Sequence, residues 1–428
     1  MRGEFIKPVS GVEGEIKVPG DKSISHRAAL LGGMAHGKTH ISNFLAGQDC
    51  LSTLRCLKQL GVSAERRETE VWIRGEGMEA WTEPNDVLDA GNSGTTSRLM
   101  LGVLAGSSFA VTLTGDESLR SRPMRRVTDP LKQMGAQLVG RQEDNLFPLT
   151  MKGGQLQGQI FRTAVASAQV KSAIILAGLR ASGETRIEEP ALSRDHTERM
   201  LRGFGVKVHS ENTVVTVHGG AQLTGQMVNV PGDISSAAFF LVLGSLAGRG
   251  ELILPNVGIN PTRTGIFEAL RAMGADIELF DVSEICGEPR ATLRVRPAQL
   301  KGIEIGGDMI PRLIDEIPIL ALAASLAEGE TIIRDAAELR VKETDRIRTV
   351  AEGLNAVGAK VEELPDGLRI QGQRSLRGGP TSSLGDHRLA MTWTIAGMLS
   401  KEGVSVEDMA AADVSYPHFL AVIKKVAR

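Results

Sequence analysis

Lys22, Ser23 and Arg27 fall in the first two turns of a helix that the sequence opens at Asp21, directly after a strand end at Ile16 and Val18 and a Pro19-Gly20 break. A helix N-terminus offers free backbone N–H groups and the positive end of the dipole, so ammonium, hydroxyl and guanidinium groups there read as a phosphate or carboxylate site. Four other segments place charge or glycine where a plain scaffold has no use for them. LDAGNSGTTSR (88–98) carries Asn92, Gly94 and Thr95 in a backbone-exposing loop ahead of an apolar helix, a second anion cradle. SLRSRPMRR (118–126) sets Arg122 before Pro123, ELRVKETDRIR (338–348) holds Lys342, Glu343 and Arg346, and GDHRLAM (385–391) holds Arg388. Asp315 and Glu316 head an otherwise apolar helix, LIDEIPILALAA. Each has a bland reading taken alone: a charge run is a solvated helix face, and Asp315 is a favourable N-terminal charge worth about 0.3–1 kcal/mol. Together they gather Lys22, Arg27, Arg122, Lys342, Arg346 and Arg388 around few carboxylates. That suits a small substrate with several negative charges, gripped by forked charge-assisted contacts.

The elements that must position these residues recur. VPGDKSISHR begins at residue 18 and VPGDISSAAFFL at residue 230, with the same strand end, break and helix opening, but Ile234 stands where Lys22 does and Arg27 has no counterpart. An apolar helix end, a small residue, a glycine turn and a β-branched strand recur six times, at 30–41, 101–113, 175–187, 241–254, 320–333 and 394–406. A helix end running through Gly into a strand recurs at 57–65, 131–139, 201–209, 270–278 and 354–362, where Gly suits a left-handed C-cap. The repeats predict six units of about 70 residues, each βαβαββ-like, with helices packed inside. Grouped as two triplets they give an α/β (α+β) fold of two similar domains. One is discontinuous, residues 1–19 plus 233–428, its first strand completing a unit left open at the other end. The second is 20–232, and the crossovers lie near 19–21 and 231–233. The expected site is the cleft between the domains, with closure about the two crossovers.

Composition narrows the classes. Of 428 residues 42% are apolar and 23% charged, and the net charge of −2 supplies no field for nucleic acid. One Tyr, three Trp and eleven Phe are few for a base-stacking surface. Cys50, Cys56 and Cys286 have no metal or disulfide spacing and read as buried thiols in a reducing compartment. The opening MRGEFIKPVS lacks a signal-peptide core, and the apolar runs near 237–247 and 317–327 are too short to span a bilayer. The expectation is a cytoplasmic protein without nucleic-acid or membrane partners. GGMAHGKT (32–39) matches the phosphate-loop pattern but sits after a helix and before a strand. The motif needs the reverse, so this is a repeat turn carrying a chance Lys38.

PGDKSISHR, LDAGNSGTTSRL, the RP of SRPM, VASAQVKSA (165–173), SRDHTERM (193–200), LIDEIP, RVKETDRI and DHRLAM closely resemble, in order and over the whole chain, the 5-enolpyruvylshikimate-3-phosphate synthase family. The resemblance implies two domains of three repeated units. It implies transfer of the enolpyruvyl group of phosphoenolpyruvate to the 5-hydroxyl of shikimate 3-phosphate, with no metal or organic cofactor and a monomer acting on small molecules. It implies Glu343 as the group that delivers and later removes the C3 proton, Asp315 as the base for the 5-hydroxyl, and Lys22 as a bridge between the substrates that assists proton transfer. Ser23, Arg27, Ser167, Gln169, Ser193, Arg194, Asp315 and Lys342, with Lys22, match the shikimate 3-phosphate contacts. Asn92, Gly94, Thr95, Arg122, Gln169, Arg346 and Arg388, with Lys22, match those of phosphoenolpyruvate.

The match has departures. Ala168 stands where some members have a second Ser, His196 where a Tyr is common, Glu338 where an Asn is common, and Val414 where some carry a lysine. Arg98-Leu99 replaces a frequent Arg-Pro in the loop on which the inhibitor glyphosate depends, while Gly94 leaves that inhibitor room. The fold-sharing alternative, enolpyruvyl transfer to UDP-N-acetylglucosamine, typically has a reactive Cys (or Asp) before its RP pair. GDESLRSRPM has no Cys there. A non-catalytic or RNA-end-processing relative is disfavoured by the joint retention of Lys22, Asp315 and Glu343.

Overall fold

The computed structural model describes residues 3–428, so Met1 and Arg2 of the opening segment lie outside the described residues. The chain divides into two compact units. One comprises Gly20–Val230 and the pentapeptide Glu284–Glu288. The other comprises the chain up to Pro19, Pro231–Ser283 and Pro289–Arg428. The sequence reading put residues 231 and 232 in the unit that begins at Gly20 and left 284–288 within 233–428; the contacts group them otherwise.

The Gly20–Val230 unit has three four-stranded sheets with one strand order. In the second, Leu88–Asp89 lies parallel to Ala110–Thr114, which pairs antiparallel with Leu146–Lys152, itself antiparallel to Gln137–Gly140. The third repeats this with Ile160–Arg162, Glu184–Glu188, Val214–His218 and Val208–Glu211. In the first, the parallel edge strand Met227–Asn229 comes from the far end of the unit and joins His36–Ser42, Glu70–Glu76 and Ser63–Arg67. Each repeat is thus βαβαββ, with one parallel pair and one hairpin; in the second and third a helical crossover joins the parallel strands.

The first helix of each repeat is enclosed: Lys22–Met34, Gly94–Leu104 and Ala168–Gly178 are buried on nearly every side behind their opening residues. An enclosed helix must be apolar or pair its polar groups inside the protein, so these segments read as small and apolar runs broken only by residues such as Arg27 and Lys171. The second helix covers a sheet and is amphipathic. Arg125–Met134 buries Val127, Leu131 and Met134 completely, each worth about 1.5–3 kcal/mol, and ends at Gly135 with φ 113°.

The other unit follows the same plan around Ile234–Leu246, Ile317–Ser325 and His387–Leu399. Its first sheet orders Asp276–Ile285, Glu288–Arg296, Gly250–Gly258 and Val12–Glu15, and its second Glu304–Ile305, Glu330–Ile333, Gly367–Gln371 and Lys360–Leu364. The sixth sheet departs from the repeat: it has three strands, Gly379–Ser382, Val404–Glu407 and Glu4–Ile6. The N-terminal strand takes the antiparallel place beside Val404–Glu407, and the chain continues through Met409–Val414 into the helix Phe419–Val426 instead of a hairpin. Each unit has its own apolar core.

Gly32–Met34 closes the Lys22–Met34 helix and Lys38 lies exposed in the following strand, so the phosphate-loop lookalike is a turn. Cys50 and Cys56 are buried free thiols, whereas Cys286, expected to be buried too, is half-buried. No helix among the described residues is long and apolar enough to cross a membrane.

Candidate active site

The enclosed helices gather many of the expected site residues near their N-termini. In the Gly20–Val230 unit Asp21 caps the Lys22–Met34 helix by accepting the Ile24 N–H at 2.9 Å, which leaves Lys22 and Ser23 half-buried at its opening. The Lys22 ammonium lies 3.3 Å from Asp49 at the start of the Gln48–Gln59 helix. Arg27, one turn on, is 4% exposed and donates to Thr197 Oγ1 (2.7 Å), Ser172 Oγ (2.8 Å) and the Ser23 carbonyl (3.1 Å). Burial lowers its pKa to about 10, countered by Glu198, Asp21 and Glu288, so the guanidinium remains charged at neutral pH.

The next enclosed helix begins at Gly94, capped by Ser93. Asn92 Oδ1 accepts from Arg122 Nη2 at 2.7 Å, and Asn92 Nδ2 donates to Asp116 at 2.7 Å. Arg98 donates to Gln169 Oε1 at 2.8 Å, and Gln169 Nε2 donates to Thr95 Oγ1 at 3.0 Å. A Cβ on Gly94 would sit 2.7 Å from Arg98 Nη1, so glycine lets that guanidinium close over the helix start; Arg122 Nη1, at 3.5 Å, would be in ordinary contact. The structure therefore links Asn92 to Arg122, and Thr95 to Arg98 through Gln169. The sequence reading gave Arg98 no role.

Ser167 precedes the third enclosed helix and Ser193 lies in the segment leading to the His196–Gly203 helix. Both bind one carboxylate: Glu189 accepts the Ser167 N–H at 3.2 Å and the Ser193 hydroxyl at 2.9 Å. Lys171, 1% exposed, pairs with Glu189 at 2.9 Å and Glu198 at 2.8 Å. Burial opposes its charge, but the two carboxylates outweigh this and hold its pKa above the usual lysine value. Arg194 is half-buried. His196, in the place of the common Tyr, is buried with Nδ1 2.8 Å from Glu288 of the pentapeptide.

In the other unit Asp386 caps the His387–Leu399 helix and takes a two-pronged bond from Arg346, 2.8 Å from Nε and 3.1 Å from Nη2. Arg346, 1% exposed, also meets Glu343 at 2.7 Å and Asp315 at 3.6 Å, and Arg388 lies 3.7 Å from Asp315. Burial alone would raise the pKa of Asp386; Arg346 outweighs it and holds the carboxyl below the ordinary aspartate range. Arg346 is held above the usual arginine value, because Glu343, Asp386 and Asp315 outweigh its desolvation. Asp315 sits in the turn Ile314–Glu316 ahead of the Ile317–Ser325 helix, and Lys342 is half-buried beside Glu343. Glu316 is fully enclosed: it accepts from the Ser235 hydroxyl, whose oxygen takes Arg263 Nη2 at 2.7 Å. The second PGD helix start is therefore satisfied from within the protein. Glu338 and Val414 are exposed.

Sequence reasoning missed Asp49, Arg98, Lys171, Glu189 and Glu198 as partners of the site residues. Lys171 stood inside a quoted motif, and the aspartates that open the two PGD helices were the visible signal for Asp386. Among the described residues no group of three or more His, Cys, Asp or Glu side chains could hold a metal ion.

The EPSP synthase (3-phosphoshikimate 1-carboxyvinyltransferase) family model matches residues 6–423. A 3-phosphoshikimate 1-carboxyvinyltransferase of Desulfitobacterium hafniense is 68% identical over 426 residues, covering 100% of this chain and 98% of the relative. One from Bacillus cereus is 53% identical over 429 residues, covering 100% of both. The solved EPSP synthase of Acinetobacter baumannii superposes with a TM-score of 0.92 at 42% identity, covering 99% of this chain and 97% of that one. With helix starts that carry cations and carboxylates in this arrangement, the chain belongs to the EPSP synthase (3-phosphoshikimate 1-carboxyvinyltransferase) family.

Proposed function

We infer that the chain transfers the enolpyruvyl group of phosphoenolpyruvate to the 5-hydroxyl of shikimate 3-phosphate, releasing phosphate. Family membership supports the reaction, and the observation that carries the assignment of roles is the cluster around Arg346. Two carboxylates suited to proton transfer, Glu343 and Asp315, lie 2.7 and 3.6 Å from one buried guanidinium that Asp386 holds in place.

In this reading Asp315 takes the proton of the 5-hydroxyl as its oxygen attacks C2 of phosphoenolpyruvate, and Glu343 gives a proton to C3. The product of addition is a tetrahedral ketal. Loss of phosphate from C2 and return of a methyl proton to Glu343 restore the double bond in the product. Three carboxylates (Asp315, Glu343, Asp386) share two guanidiniums (Arg346, Arg388). A substrate phosphate beside this cluster favours a protonated Glu343, as an acid for C3 needs. Arg346 and Arg388 hold the phosphoenolpyruvate anions with Arg122, Asn92, Gly94 and Thr95, and Lys22 and Gln169 serve both substrates. Ser23, Arg27, Ser167, Ser193, Arg194 and Lys342 hold shikimate 3-phosphate.

Phosphate release from phosphoenolpyruvate tests the assignment, with shikimate 3-phosphate and UDP-N-acetylglucosamine as alternative acceptors. Release is expected with the shikimate ester alone; release with only the nucleotide sugar, or silence with both from folded protein, overturns it. We propose also a monomer in the cytoplasm. One chain supplies every residue named, and its three cysteines are free thiols; a dimer mass in sedimentation would count against it.

A further inference from the structure

The sequence gives Ser167 and Ser193 no common anchor, and the reaction as written uses neither Lys171, Glu189 nor Glu198. The geometry points to Glu189 as a positioning residue for shikimate 3-phosphate, acting through both serines; this rests on the proposed function above. The two oxygens of the Glu189 carboxylate divide their work. Oε1 accepts the main-chain N–H of Ser167 at 3.2 Å. Oε2 accepts the Ser193 hydroxyl at 2.9 Å and lies 2.9 Å from the Lys171 ammonium. One side chain thus ties the residue ahead of the Ala168–Gly178 helix to the segment ahead of the His196–Gly203 helix.

The arrangement is held rigidly. Lys171 meets three acceptors, one for each of its N–H bonds: Glu189, Glu198 at 2.8 Å and the Ser193 carbonyl at 3.4 Å. Lys171, Glu189 and Glu198 are each about 1% exposed at the side chain, so none can exchange these partners for water. Arg27 is locked next to them through Ser172, one residue after Lys171, and Thr197, one residue before Glu198; the two hydroxyls are themselves 2.6 Å apart. The Lys171–Glu189–Glu198 group thus fixes both serines: Ser193, whose O–H goes to Glu189, keeps its oxygen as an acceptor for the ester's hydroxyls, and the phosphate falls to the Ser167 hydroxyl and Arg27. A buried pair retained only for stability would have no reason to bind both serines.

The test measures shikimate 3-phosphate binding by calorimetry and the KM of each substrate in wild-type protein, Glu189→Gln, Glu189→Asp, Ser193→Ala and the double variant Glu189→Gln/Ser193→Ala. The expected result is a Kd and KM for shikimate 3-phosphate raised about tenfold in Glu189→Gln, with the phosphoenolpyruvate KM unchanged. The double variant should bind no more weakly than the weaker single one, because both changes remove the same contact. Glu189→Asp keeps the charge beside Lys171 and withdraws the oxygens by one methylene; it should show the same selective loss, and it carries the test if Glu189→Gln does not fold. Equal rises in both KM values, strict additivity, or wild-type binding with only a lowered Tm would overturn the proposal. Wild-type protein that fails to bind shikimate 3-phosphate would instead overturn the activity on which it rests.

Discussion

Glu343 and Asp386 bind the same guanidinium yet should fail differently when changed. Glu343 is 37% exposed at its side chain and ends on Arg346 at 2.7 Å, open to a reacting carbon. Asp386 is fully buried, caps a helix and grips Arg346 with both oxygens. Glu343→Gln should therefore lower turnover about 10²–10⁴-fold, the worth of a positioned acid–base group, with little change in unfolding midpoint. Asp386→Asn leaves Arg346 buried with its best partner gone and should cost on the order of 3 kcal/mol of stability. Steady-state rates and urea unfolding of both variants check this; near-normal turnover in Glu343→Gln, or an unshifted midpoint in Asp386→Asn, would count against the roles given. At this scale the sequence exposed residues whose charge interrupts an apolar repeat, such as Lys22, Glu343 and Arg388. It hid Glu189 and Glu198, because a glutamate at a strand end or on an amphipathic helix looks solvated until folding buries it against Lys171.

Among the elements, the Lys22–Met34 helix ties its neighbours through His26. The imidazole Nδ1 lies 2.7 Å from Thr53 Oγ1 on the Gln48–Gln59 helix, and Thr53 Oγ1 lies 2.7 Å from Thr96 Oγ1 on the Gly94–Leu104 helix. Burial pushes the His26 pKa down to about 3; Asp49 and Asp21 pull it up, and Lys22 and Arg27 press it lower. The folded value lies below the ordinary 6.5, so the unfolded chain binds the extra proton first as pH falls. The stability held by neutral His26 is complete above about pH 6.5 and is lost progressively toward pH 3, at up to about 1.4 kcal/mol per pH unit. His26→Gln should be less stable than wild type at pH 7.5, and the gap should narrow as pH falls to 4.5. Denaturant titrations across that range measure it, and parallel curves for the two proteins would refute it. The helices were readable in advance because an enclosed helix needs an unbroken apolar run and the glycines punctuate its exit. The repeat count also had the first strand complete the unit left open at the other end; that this sheet keeps only three strands, with Glu4–Ile6 in the place of a hairpin, was not legible, since nothing local to Val404–Glu407 tells it.

At the scale of the whole molecule, each unit is a closed set of three sheets around its own core, and the Gly20–Val230 unit draws even its last edge strand, Met227–Asn229, from within its own span. Its boundary near the second PGD break was visible because the break itself repeats. Membership of Glu284–Glu288 was not, because CGEP reads as an ordinary turn and the buried partner of Glu288, His196, lies far away in sequence. A fragment of residues 20–230 keeps every sheet of the unit and loses only that pentapeptide, and with it the Glu288 carboxylate and the Gly287 carbonyl that Arg199 uses. It should fold with one cooperative transition, less stable than the same unit in the full chain by an amount on the order of 1–3 kcal/mol for the loss of the buried His196–Glu288 contact. It retains Lys22, Ser23, Arg27, Ser167 and Ser193, so it should bind shikimate 3-phosphate measurably in calorimetry. It lacks Asp315, Glu343, Arg346 and Arg388, so it should release no phosphate from phosphoenolpyruvate at any concentration of either substrate. A fragment without a cooperative transition would show that the core is not sufficient, and a fragment that turns over would remove Glu343 and Asp315 from the chemistry. Binding without turnover would divide the labour as the helix starts do, with recognition of the phosphate ester in one unit and the proton-carrying carboxylates in the other.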